Sequence, residues 1–257
     1  MRAAIFLVSL TTCAAIQARA ASDACWEPKQ AVVSSVSLGR VDTRQMLAQF
    51  QNSPSFWQQF EVAREIVALH DPSILPDLRI FLDHEDRHLR GNAAFIFASL
   101  GDDRGFEVLR SILGDRGYRP QGQGDVVSGD MRYHVEQQIA ADRYYVVHLF
   151  GDLGDPRAVP ILIPLLGDEE VKWIVPWSLG AIGDKRAVAP LIGTLADHDP
   201  SVRVLAICAL VKLRASDALP ALYRLLDDDE QIHFGDLSSV SATAKAAITA
   251  LERLRAP

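Results

Sequence analysis

The sequence predicts an all-α fold, an α-solenoid of about five to six helical hairpins. Three observations predict it. The stretch FGDLGDPRAVPIL at Phe150–Leu162 recurs as LGAIGDKRAVAPL at Leu179–Leu191, 29 residues later. Apolar residues spaced 0, +3, +7 return along the chain, and that spacing lines one face of a helix. Nowhere do apolar and polar residues alternate as in a half-buried strand. A helical hairpin of this length leaves one apolar face uncovered, which only its neighbours can cover.

The first helices of the units carry the triads Leu75, Leu78, Leu82; Phe106, Leu109, Leu113; Val159, Leu162, Leu166; Val188, Leu191, Leu195; and Leu219, Leu222, Leu226. The second helices carry inward positions at 0, +4, +7, +11. These are Leu89, Ala93, Ile96, Leu100; then Val171, Val175, Ser178, Ile182; then Val202, Ala206, Ala209, Leu213. Val146, Leu149 and Leu153 fit the same frame with Asp142 at its first place, and Thr243, Ala247, Ala250 and Leu254 close the array. Gln45–Phe50 and Phe56–Leu69 read as a degenerate first pair. The solenoid is expected over 42–257, with loop insertions near 114–130 and 228–240.

Capping residues mark the joints. Asp71-Pro72, Asp155-Pro156 and Asp199-Pro200 each place a carboxylate before a proline at the first helical position. Asp102 and Asp184 hold the same place without the proline. Asp86/Arg90, Asp168/Lys172 and Asp199/Arg203 form pairs four residues apart, with Arg143 at the basic place of the inserted unit.

These joints and the period near 30 resemble HEAT-like repeats of the short kind first noted in phycobilisome lyases. The resemblance covers about Asp71 to Leu254, rests on the G-D-x-R-A junctions and D-x-x-V-[RK] turns, and implies a right-handed superhelix. It implies no single function, because such repeats occur in scaffolds, bilin lyases and a di-iron hydroxylase. The hydroxylase places its His-Glu iron ligands where this chain has Gly91-Asn92, Tyr144-Tyr145, Trp173-Ile174 and Val204-Leu205, so that chemistry is not expected.

Residues 1–20 have the layout of a secretory signal peptide: Arg2, an apolar run Ala3–Ile16, and Ala18-Arg19-Ala20 as cleavage site. The run is shorter than the roughly 20 residues a membrane span needs. Cleavage removes two arginines and no acid, which deepens the net charge of −7. Localisation is expected to be periplasmic or secreted, with residues 21–41 a largely irregular extension. A lipid anchor at Cys13 is disfavoured, because Thr12 fits poorly before a lipidated cysteine. Cys25 and Cys208 could pair in an oxidising compartment, but two cysteines do not staple a fold of this size. An acidic chain is a poor partner for nucleic acid, and Arg90, Arg143, Lys172 and Arg203 are too few to reverse that.

One motif points toward an enzyme. His84-Glu85-Asp86-Arg87-His88 spells HExxH, in which two histidines one helical turn apart hold zinc. Alignment of the units places Asp86 at the start of a second helix, with Asp168 and Asp199. His84 and His88 then straddle a turn and lose that geometry. No metal or other cofactor is expected.

The remaining binding signals are an aromatic stripe and a loop. Positions +2 and +6 of the second helices carry Phe60, Phe95, Tyr144, His148, Trp173, Trp177 and Cys208. They point away from the inward row, toward an expected concave groove or toward cover from neighbouring repeats. Arg116, Tyr118 and Arg119 sit in the insertion, on an edge where repeat proteins place binding loops. The reading is an exported, non-catalytic scaffold that binds a protein or peptide through Trp173, Trp177, Tyr144, His148, Phe95, Arg116, Tyr118 and Arg119. The alternative is an enzyme: a lyase or oxidoreductase by family analogy, or a zinc hydrolase through His84 and His88.

Overall fold

The computed structural model describes residues 43–117, 131–232 and 239–254, and the side chains of helix 131–153 from residue 137 onward. Twelve α-helices and no strand occur among the described residues. They fall into two compact units that meet in sequence between Asp155 and Pro156, each with three helical hairpins.

The N-terminal unit opens with α1 (Thr43–Asn52) and α2 (Phe56–Ala68). A short α3 (Leu75–Leu78), flanked by 3-10 turns at Pro72–Ile74 and Arg79–Phe81, pairs in sequence with α4 (Arg87–Ser99). The third hairpin is α5 (Asp103–Gly114) and α6 (Met131–Leu153). Helix α4 packs against α2, α5 and α6, so the second helices stand in a row with α4 in the middle. Phe50, Phe97, Leu109, Ile112, Leu149 and Phe150 are fully buried beneath them. Such burial contributes about 1.5–3 kcal/mol per large apolar side chain. Helix α5 begins hard against α4: a Cβ on Gly105 would stand 2.2 Å from the Ala94 carbonyl oxygen. Only glycine permits that approach.

The C-terminal unit contains α7 (Val159–Leu162) between 3-10 turns at Pro156–Ala158 and Ile163–Gly167, then α8 (Val175–Ile182). Next come the 3-10 turn Lys185–Ala187 with α9 (Val188–Thr194), and α10 (Pro200–Lys212). The turn Ser216–Ala218, α11 (Leu219–Tyr223) and α12 (Val240–Arg253) close the unit. Helices α8, α10 and α12 form the row here. Prolines break up the first helices: Pro72, Pro76, Pro156, Pro160, Pro164 and Pro220 lack the N–H that would continue the α ladder, so the chain tightens into 3-10 turns.

Each hairpin-to-hairpin joint holds one residue in the left-handed region. Three are glycines, Gly101, Gly154 and Gly183, and two are His70 (φ 52°) and Arg214 (φ 50°). A left-handed residue ends a helix by satisfying its last carbonyls, as when Gly183 N–H donates to Leu179 O. The next helix then starts from an aspartate cap: Asp71, Asp102 and Asp184 accept from the N–H two residues on. Asp86 and Asp199 cap the second helices α4 and α10 in the same way.

Two expectations need correction. The second helix expected from Asp168 starts only at Val175. Residues 169–174 are turns, closed by Lys172 N–H to Asp168 O at 2.7 Å and Ile174 N–H to Val171 O at 3.0 Å. Pro176 is the reason, since it is tolerated in the first turn of a helix and not in its interior. Leu226 and Leu254, expected inward, are 39% and 49% exposed on the last hairpin.

Candidate functional site

The HEDRH residues do not share a helix. Asp86 is extended (ψ 112°) and its carboxylate accepts from His88 N–H at 2.8 Å, which starts α4 at Arg87. His84 lies before that break, where its Nδ1 accepts from Asp86 N–H at 3.0 Å. The two imidazoles therefore lack the i,i+4 helical register of a zinc pair. Among the described residues, no three His, Cys, Asp or Glu side chains gather as metal ligands.

His88 instead joins a buried ion network. Arg87 Nη1 lies 2.6 Å from Asp142 Oδ2, both side chains 1% exposed, and Arg87 Nη2 lies 3.0 Å from Asp115. Arg87 also donates to Gly117 O. His88 Nε2 stands 3.9 Å from the other Asp142 oxygen. Burial pushes the Asp142 carboxyl above the usual carboxylate range, with Arg87 pulling against it. Burial and the nearby Asp142 both raise the Tyr145 hydroxyl. Two local rules are broken here. Arg87 puts a cation at the positive end of α4, and Asp142 occupies an inward place that is uncharged in the other units. Each explains the other.

The basic residues of the four-residue pairs hold the turn behind them and also reach forward: Arg90 donates to His84 O, Lys172 to Glu169 and Arg203 to Asp197 O. Asp86 and Asp199 are occupied as helix caps. Arg90 meets Asp115 (3.9 Å), Lys172 meets Asp197 (3.1 Å) and Arg203 meets Asp228 (2.9 Å), each partner lying 25 residues ahead. In every case that aspartate also accepts the N–H two residues later: Gly117, Asp199 and Glu230. Burial works against the ionised Asp197, but the Asp199 N–H and Lys172 outweigh it and hold its carboxyl below the usual range. These pairs tie successive hairpins within each unit.

The aromatic stripe of the N-terminal unit closes on itself. Phe95, expected on an open face, is 5% exposed and meets Phe60 at 5.2 Å. Tyr145 stacks on Phe56 at 3.9 Å. His148 and Tyr144 meet Trp57 at 4.8 and 6.4 Å. Rings from α2 and α6 thus touch across α4, whose Asn92 side-chain N–H donates to the Phe56 carbonyl oxygen. Phe95 is a packing residue. Tyr144, His148 and Trp57 remain half-buried. His148 Nδ1 also lies 2.6 Å from Asp152, one turn on.

In the C-terminal unit, Trp173 sits on the turn before α8 and Trp177 in its first turn, both half-buried. Arg116 is exposed where the insertion leaves α5. Tyr118 and Arg119 lie outside the described residues, as do Cys13, Cys25 and the expected signal peptide. Trp57 and the Arg87–Asp142 pair were not among the expected site residues. Asp142 was visible as an acid in an apolar frame, and Trp57 carried no periodic signal.

No curated protein matches the chain. Among solved structures, an engineered protein is 20% identical, with 82% of this chain and 97% of that one covered and a TM-score of 0.40. A designed armadillo repeat protein is 18% identical, with coverage of 82% and 100% and a TM-score of 0.42. Two overlapping stretches of this chain, residues 137–197 and 167–232, match HEAT repeats.

Proposed function

We propose that the protein is an exported, non-catalytic interaction scaffold whose second-helix faces dock a segment of a partner protein. The observation that carries this reading is the pair Trp173 and Trp177, half-buried at the start of α8 and still partly open to solvent. Large rings with one accessible side are the usual anchors of protein interfaces. Pro176 lies between them and sets where α8 begins. The HEAT-repeat match supports a scaffold, because such repeats stack into extended binding surfaces. Arg116, exposed at the end of α5, would be a separate contact on the N-terminal unit.

Capture from the native envelope by wild type and by a Trp173→Ala/Trp177→Ala double variant tests the reading. A partner held by wild type and lost by a folded double variant supports it. Undiminished capture overturns it. Export is tested separately, by N-terminal sequencing of the protein from its native host: a chain that begins at Ala21 agrees with export, and one that retains Met1 does not.

A further inference from the structure

The ring cluster of the N-terminal unit ends at the surface in a group with a definite chemical preference. Trp57, Tyr144 and His148 lie within 6.4 Å of one another, each half-buried, and Asp152 holds His148 Nδ1 at 2.6 Å. Aromatic faces attract cations, and most strongly when a carboxylate stands beside them. The same cluster already meets a cation of its own chain: the exposed Arg64 guanidinium lies over the Phe60 ring at 5.9 Å. Phe60 in turn contacts both Trp57 and His148. Asp152 sets a carboxylate beside these rings, which favours positive charge there.

We propose that Trp57, Tyr144 and the His148–Asp152 pair form a seat for an arginine side chain of the docked partner segment. This rests on the scaffold reading and adds the chemistry the partner must present. The guanidinium would lie against the Trp57 and Tyr144 rings and share the Asp152 carboxylate with His148. Trp57 becomes a binding residue, and the preferred partner segment is basic.

The probe is Gly-Arg-Gly amide, titrated into the full chain while the Trp57 indole N–H resonance is followed by NMR, with its assignment taken from Trp57→Phe. Gly-Leu-Gly and Gly-Glu-Gly amides serve as controls. The expected result is a saturable, salt-sensitive shift with the arginine peptide alone, weakened about two- to fivefold by Asp152→Asn. Trp57→Phe, which keeps a ring in place, should weaken binding by a similar factor, read from the Tyr144 ring signals. Equal shifts with Gly-Leu-Gly, or no effect of Asp152→Asn, overturn the arginine seat. The absence of any shift also overturns it. If Trp173→Ala/Trp177→Ala still abolishes partner capture, the scaffold reading survives that failure.

Discussion

The two units solve the same packing problem with different chemistry. In the C-terminal unit, Lys172 and Arg203 each meet an aspartate 25 residues ahead, and those aspartates keep some solvent and a backbone N–H. The N-terminal unit has that contact at Arg90 and adds a second, deeper one, Arg87 to Asp142, with both side chains buried. Ion pairs whose acid keeps some solvent and a second partner tolerate loss, whereas a sealed pair contributes little as a pair and costs much when broken. The difference teaches that the N-terminal unit carries its polarity as a constraint and the C-terminal unit as a fastening.

The largest expected effect breaks that contrast directly. Arg87→Ala leaves Asp142 buried without its guanidinium and should cost about 3–5 kcal/mol in urea unfolding. Lys172→Ala should cost about 1–2 kcal/mol, since Asp197 keeps its other partner. Equal losses would erase the distinction.

A second pair of variants probes close approach in each unit. Gly105→Ala drives a methyl into the α4 backbone, while the Gly180 Cβ would meet Ala209 at 3.0 Å. Losses of about 3 kcal/mol and under 1 kcal/mol are expected, read as shifts in thermal midpoint.

The pH dependence should have opposite signs in the two units. Asp142 has its carboxyl raised in the fold, so the folded state binds the proton more tightly and this group favours folding at low pH. That contribution fades as pH rises through the raised folded value. Asp197 is depressed, so its contribution is complete above the ordinary value of 3.8 and is lost as pH falls through the folded one. Urea unfolding between about pH 3 and 7 checks this: relative to wild type, Asp142→Asn should gain stability as pH rises and Asp197→Asn should lose it. The smallest effect sharpens the view of the joints. Arg214→Gly relieves a left-handed conformation that glycine adopts freely, and should raise stability by about 0.5–1 kcal/mol by the same assay.

The hairpins were legible because their signals are local. Leucine spacing, Asp caps and G-D-x-R-A junctions act within one helix or one turn, and Asp86, Asp102, Asp184 and Asp199 cap where the sequence places them. The delayed start of α8 was equally local. Pro176 announces it, yet the apolar frame through Val171 and Val175 runs on unbroken and hides it. What could not be read were contacts between helices separated by a third. Trp57 on α2 meets His148 on α6 across α4, and Arg87 meets Asp142 over 55 residues. No single-helix period encodes either contact.

The fixed interval of 25 residues has a consequence for how such a chain can lengthen. The insertions near 114–130 and 228–240 both open at Asp115 and Asp228, the two acids already tied to the preceding hairpin. Length added beyond a fastened acid changes no distance on its upstream side. Insertions can therefore accumulate there and diversify while the stacking register stays untouched, so variation is channelled to the turn between the two helices of a hairpin.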